Sequence, residues 1–167
     1  MKIEHELTRW DGKSKDDTTK IYETYHTKAE FAATIIKLMN NPSCQKGATW
    51  LLKAFLESNN KIDKKQIKSV YDSLHQLDDW ESKLHILQSI PYMPIAKTEC
   101  KKLERFLRVT LTDKNKFVRA WSYNGFYVLA KQYPAYAEEV KQFFEMAMKD
   151  EAASVKARIK NIMKKGF

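Results

Sequence analysis

Glycine and proline are scarce in this chain, at four of each in 167 residues. So few breakers leave room for little besides long helices joined by short turns. Cysteine is scarcer still. Cys44 and Cys100 stand alone, which gives neither the paired spacing of a zinc site nor a disulfide framework. No apolar run approaches the ~20 residues that a membrane span needs. The opening M-K-I-E-H-E-L lacks the apolar core of a secretory signal, so a soluble cytoplasmic protein is expected. His5, His26, His75 and His85 have no spacing suited to a metal or an activated nucleophile, and no glycine-rich phosphate loop occurs. No catalytic, cofactor-binding or metal-ligating residue is therefore assigned, and no enzyme is expected. What the chain does have is apolar material. Its hydrophobic fraction of 43% and aromatic fraction of 12% argue against disorder and suffice for one domain with a sizeable core.

Basic residues exceed acidic ones, for a formal net charge of +9. The excess is unevenly placed. Residues 1–43 balance seven basic against seven acidic groups, whereas residues 93–131 hold nine against three, which is +6 in one segment. Such an excess favours nucleic acid, acidic proteins or anionic lipid without choosing among them.

The clearest internal feature is a repeat. D-K-N-K-F-V-R-A-W at 113–121 returns as D-E-A-A-S-V-K-A-R at 150–158, a shift of 37. The same registration carries backwards. Val140, Phe143, Phe144 and Ala147 map to Leu103, Phe106, Leu107 and Thr110, then to Ile67, Val70, Tyr71 and Leu74, then to Ala32, Ile35, Ile36 and Met39. Each set follows the i, i+3, i+4, i+7 spacing of one helix face. A looser second face runs from Val155, Ile159 and Met163 back to Gly47, Leu51 and Phe55. Four units with a period of 35–37 are expected, each a helical hairpin. Their bounds are about 28–57, 63–90, 95–132 and 135–165, within one domain over 27–167. Thr27 with Glu30, and Asp63 with Gln66, read as capping boxes that open helices. Asp79 opens another, and P-Y-M-P at 91–94 stops it. Gly166 is placed to cap the last helix. Residues 1–26 are polar, charge-balanced and without a clear period. They are expected to form an arm, mobile or folded back as a cap through Trp10, Ile21, Tyr22 and Tyr25.

The two copies of D-x4-V-[R/K]-A resemble HEAT repeats, well over 98–165 and faintly but in register over 28–97. That resemblance implies an all-α fold, a right-handed α-solenoid of about four antiparallel hairpins with the second helices on the concave side. It also implies a ladder of turn aspartates and helix cations, here Asp113 with Arg119 and Asp150 with Lys156. The period is shorter than the ~40–47 residues usual for the family. A tetratricopeptide signature is half matched once, by Trp121, Asn124, Gly125 and Val128, but the 37-residue shift replaces the Trp and Gly with Arg158 and Ile162.

By the same resemblance the chain is expected to be a non-catalytic binding module with a protein partner on its concave face. Candidate partner-binding residues there are Lys83, Arg119, Tyr123, Phe126, Lys156, Lys160 and Lys164. Aromatics interleaved with cations can anchor a peptide or stack bases. A second basic feature, Lys97, Lys101, Arg105 and Arg108, falls on one helix face as a convex stripe. The alternative reading is binding of DNA or RNA backbone without sequence specificity. A remoter one is a DNA glycosylase for alkylated bases, some of which are HEAT-like and use concave tryptophans with a nearby Asp. Here Ala54 and Gly125 stand one turn after Trp50 and Trp121. Both tryptophans are expected in the core.

Overall fold

The computed structural model describes residues 2–167, and among these residues there are helices and turns but no strand. Ten α-helices follow in chain order. They are α1 (Lys2–Arg9), α2 (Lys15–Tyr25), α3 (Phe31–Leu38), α4 (Gln45–Glu57), α5 (Lys64–Asp72), α6 (Trp80–Ser89), α7 (Cys100–Thr110), α8 (Lys116–Gln132), α9 (Ala137–Asp150) and α10 (Ala153–Met163). The chain divides into two compact units, Met1–Met93 and Pro94–Phe167. The division falls inside P-Y-M-P, where Ile90–Tyr92 forms a single 3-10 turn after α6.

In the first unit α4 is the central helix, packed on α2, α3 and α6, while α3 also packs on α5. Its apolar residues cover most of its circumference, and Leu51, Leu52 and Leu56 are fully buried. Within 2–26, where the sequence shows no clear period, the chain forms two helices. Ile3 and Leu7, one turn apart, are the buried stripe of α1, and Thr18, Ile21 and Tyr25 are that of α2. Ser14 caps α2 by accepting a hydrogen bond from the Asp17 amide at 3.2 Å. The α1 segment lies so close to α4 that a Cβ on Gly47 would stand 2.6 Å from Leu7 Cδ2 and 3.4 Å from Trp10 Cε3.

The expected cap at Thr27 and Glu30 does not form. The chain leaves α2 through turns, with the Lys28 amide donating to Tyr25 O and the Phe31 amide to Lys28 O. The helix is entered only at Phe31, and the Glu30 side chain makes no cap bond. The box at Asp63 does form: its carboxylate accepts from the Gln66 amide, and Gln66 Oε1 accepts from the Asp63 amide. Asp79 caps α6 through the Ser82 amide. One buried polar side chain ties the connections together. Gln45 donates to Met39 O and Gln76 O and accepts from the Asp78 amide, so burial leaves its amide satisfied.

In the second unit the 17-residue α8 is central, flanked by α7, α9 and α10. Asn115 caps it by accepting from the Phe117 and Val118 amides. Of the four aligned face sets, every residue is buried except Phe143, which is half-buried. Thr110, the one polar member, is accommodated because its hydroxyl donates to Phe106 O and Leu107 O. Tyr133 and Gln132 hold the incoming chain, with Tyr133 Oη donating to Ile95 O and Gln132 Oε1 accepting from the Ile95 amide. Gly166 takes the left-handed conformation, φ +89°, that ends a helix without the clash a Cβ would cause.

Candidate functional site

The ladder residues are brought together, but with a different carboxylate. Arg119, on the first turn of α8, makes a bidentate pair with Glu151, Nε to Oε1 at 2.9 Å and Nη2 to Oε2 at 3.2 Å. Its Nη1 donates to the main-chain carbonyls of Asp113 and Lys114. Asp113 Oδ1 accepts from the Asn115 amide and so shapes the turn. The guanidinium therefore joins α8 to the α9–α10 turn, and its donors are taken up within the fold. Lys156 donates to the Lys149 carbonyl at 3.3 Å, and among the described residues it forms no ion pair with Asp150.

The aromatic candidates are core. Phe126 is 1% exposed and Tyr123 is 7% exposed. Phe126 packs edge-on to Phe143, and Tyr123 edge-on to Phe144. Burial, with Glu151 adding to it, pushes the Tyr123 hydroxyl up to about 12. They are inside because α8 has helices against most of its surface, so aromatics off the main stripe still meet a neighbour. Trp50 and Trp121 depart from expectation the other way, since both are only half-buried. The Arg158 guanidinium lies over the Trp121 indole, its Cζ 4.1 Å from the ring centroid. The 37-residue shift aligns Trp121 with Arg158, and adjacent packing of α8 and α10 brings them into contact. That shift was the available signal for the pair.

Lys160 and Lys164 are exposed on α10, one turn apart. Lys83, on α6 of the first unit, is half-buried. Lys101, Arg105 and Arg108 on α7, and Lys97 in the 3-10 turn just before it, are all exposed, as the stripe requires. Part of that stripe is neutralised. Glu104 accepts from Lys101 and Arg108, and Arg108 also pairs with Glu139 at 2.7 Å. Burial pushes the Glu104 carboxyl up, but hydrogen bonds from Lys101, Arg108 and Tyr136 outweigh it and hold the group below its usual range. Tyr136 is in turn pushed up to about 12, by burial and by its bond to Glu104.

Two other features are chemically distinctive. In the first unit His85 meets Thr49, Nδ1 to Oγ1 at 3.0 Å. The single hydroxyl proton of Thr49 goes to Lys46 O, which leaves His85 Nδ1 as the donor in a neutral ring. Burial first, then the charge of Lys53 and, less, that of Lys46, against opposing effects of Asp79 and a Lys46 main-chain hydrogen bond, lower its pKa to about 4. In the second unit an open groove of about 520 Å³ is floored by Phe144, Met148, Met163 and Phe167 and rimmed by Lys141, Glu145 and Lys149. Among the described residues no three His, Cys, Asp or Glu side chains are grouped to hold a metal ion, and no helix is long and apolar enough to cross a membrane.

Helix packing thus defines an all-α protein of two compact units with a strongly basic second unit. Comparison of the chain with known protein families, with curated proteins and with solved structures finds no match.

Proposed function

We propose that the protein is a non-catalytic, HEAT-like helical binding module whose second unit holds an extended polyanion, the sugar–phosphate backbone of DNA or RNA. The observation that carries this reading is the segregation of charge. Pro94–Phe167 contains sixteen basic and eight acidic residues, so +8 of the chain's +9 belongs to that unit. Arg119 is consumed by Glu151, but Arg105 on α7 and Lys160 on α10 stay exposed, as do Lys97 just before α7 and Lys164 at the end of α10. Cations that are solvated and spread over a surface suit a repeating anion better than a single small one. The HEAT-like reading of the fold draws support from the packing of successive second helices, α4 on α6 in one unit and α8 on α10 in the other. The two aromatics offered as concave anchors for a peptide, Tyr123 and Phe126, are buried, which weakens the protein-partner reading at that place. A protein partner keeps one specific support, the apolar floor of the groove between Lys141 and Met163.

A titration of labelled DNA and RNA duplexes at two ionic strengths separates the readings. Backbone binding that neutralises about four phosphates gives a slope of log K against log salt near −3.6 on duplex DNA. Reversing Lys101, Arg105, Lys160 and Lys164 to Glu abolishes it with the helical spectrum intact. Absence of binding at ~50 mM salt, where such contacts are strong, removes this function and leaves the groove.

A further inference from the structure

On one face of α8, Phe117 and Trp121 stand one turn apart, each with a cation over its ring. Phe117 is 49% exposed, with Lys116 Nζ 5.4 Å from its ring centroid. Trp121 carries the Arg158 guanidinium at 4.1 Å. Phe117 adds little to the core, which Val118, Ser122 and Phe126 fill from other positions of the same helix, while Trp121 is half-buried with its indole beside α10. An exposed aromatic beside a lysine is ordinary on a surface. Two in register on one helix face, in the unit that carries nearly all the net charge, call for a ligand with both flat apolar faces and anionic groups.

We propose that this face is a stacking platform for the bases of a single-stranded nucleic acid, with Phe117 and Trp121 each receiving one base. The proposal rests on the polyanion reading above and specifies its ligand. Two residues four apart lie about 6 Å apart along a helix axis. Neighbouring bases in a stack are about 3.4 Å apart. Rings at the wider spacing fit bases that have come apart from one another, which a duplex does not offer and a flexible strand does. The cations complete the arrangement. A base arriving on Trp121 takes the place of the half-buried Arg158 guanidinium on that ring, and the displaced guanidinium then meets the phosphate next to that base. Lys114 and Lys116, both exposed at the start of α8, extend the track. Of the nearby carboxylates, Glu151 is held by Arg119 and by the Ala152 amide, and Asp113 accepts from the Asn115 amide, while Asp150 is exposed. An acidic peptide would meet the same cations but has no repeating planar faces for the two rings.

The test uses the whole protein and fluorescence anisotropy of three labelled probes at low salt: an oligothymidylate, an abasic oligomer of the same length, and a duplex. Oligothymidylate is expected to bind more tightly than the abasic strand. Trp121→Ala is expected to remove about 5- to 100-fold of that affinity, the usual effect of losing one stacking ring, while duplex affinity changes less than about twofold. Because Trp121 is half-buried, Phe117→Leu serves as a second variant. It keeps apolar volume at an exposed site and removes only the aromatic face, and the same selective loss is expected. Trp121→Phe is expected to restore most of the binding. Equal affinity for abasic and base-bearing strands, or equal weakening of strand and duplex by both variants, overturns the stacking platform and leaves backbone binding standing. No binding of any probe overturns both.

Discussion

His85 shows how one buried side chain makes the stability of the first unit depend on pH. Its folded pKa of about 4 lies below the ordinary 6.5, so the unfolded chain takes up the proton first as the pH falls. The stability that depends on the neutral ring is complete above pH 6.5 and is lost progressively down to about pH 4. The linked free energy is on the order of 3 kcal/mol. Denaturant midpoints of wild type and His85→Gln, measured across that window, should diverge by this amount, with the variant the less sensitive to acid. Parallel curves would mean that the ring is protonated in the folded state. Arg119 illustrates what was legible at this scale. The repeated D-x4-V-[R/K]-A marks the cation, but the carboxylate that pairs with Arg119 is Glu151, and from the expected Asp113 the guanidinium takes the main-chain carbonyl. The choice between a carboxylate of the preceding turn and one 32 residues further on depends on tertiary packing, and side-chain spacing does not encode it. Tyr123 and Phe126 misled for a related reason, because the sequence gives a helix's stripe and not the number of neighbours around it.

Helices followed the apolar spacing closely wherever the stripe was dense. Val140, Phe144 and Ala147 seat α9 against α8, and Phe144 is 2% exposed, with its ring 5.9 Å from that of Tyr123. Phe143 sits at the edge of the same stripe and is half-buried against Phe126 and the Arg108 guanidinium. Phe144→Ala should cost ~3–5 kcal/mol, the range for truncating a buried Phe. Phe143→Ala should cost under about 2 kcal/mol, since part of its surface already meets water. Urea unfolding of the two variants checks the ranking, and equal losses would contradict the placement of the ring edges. The first two helices were harder to read. In α1 only Ile3 and Leu7 are buried, and α2 interleaves Thr18, Ile21 and Tyr25 with charge. Short helices with so few anchors are marginal alone and form because α4 receives them. Gly47 carries the trace of that contact, in a helix where the missing Cβ makes space for Leu7 and Trp10. Tertiary packing, absent from any local pattern, decides such cases.

For the whole molecule the apolar spacing gave the all-helical character, and composition gave the excess of positive charge. The uneven placement was legible as the +6 of residues 93–131, and the structure adds that it belongs to one compact unit, +8 in Pro94–Phe167 against +1 in Met1–Met93. Like charges on one compact unit repel and oppose its folding. Salt acts selectively on such a unit. At ~0.1 M it screens charges more than about 10 Å apart and scarcely touches the Arg119–Glu151 pair at 2.9 Å. Long-range repulsion should therefore fall faster than short-range attraction. The free protein should become more stable between low and moderate salt, with amide exchange slowing in α7–α10 and little change in α1–α6. A bound duplex reverses the sign. At one hundred times its Kd a ligand adds about 2.7 kcal/mol. With about four phosphates engaged, a fourfold rise in salt weakens binding roughly 150-fold. Raising salt from ~50 to ~200 mM should then remove nearly all of that increment, so that the complex loses stability where the free protein gains it. Hydrogen exchange with and without duplex at the two salt concentrations measures both effects. Stabilisation by salt in both states would mean that the basic unit repels itself but holds no polyanion.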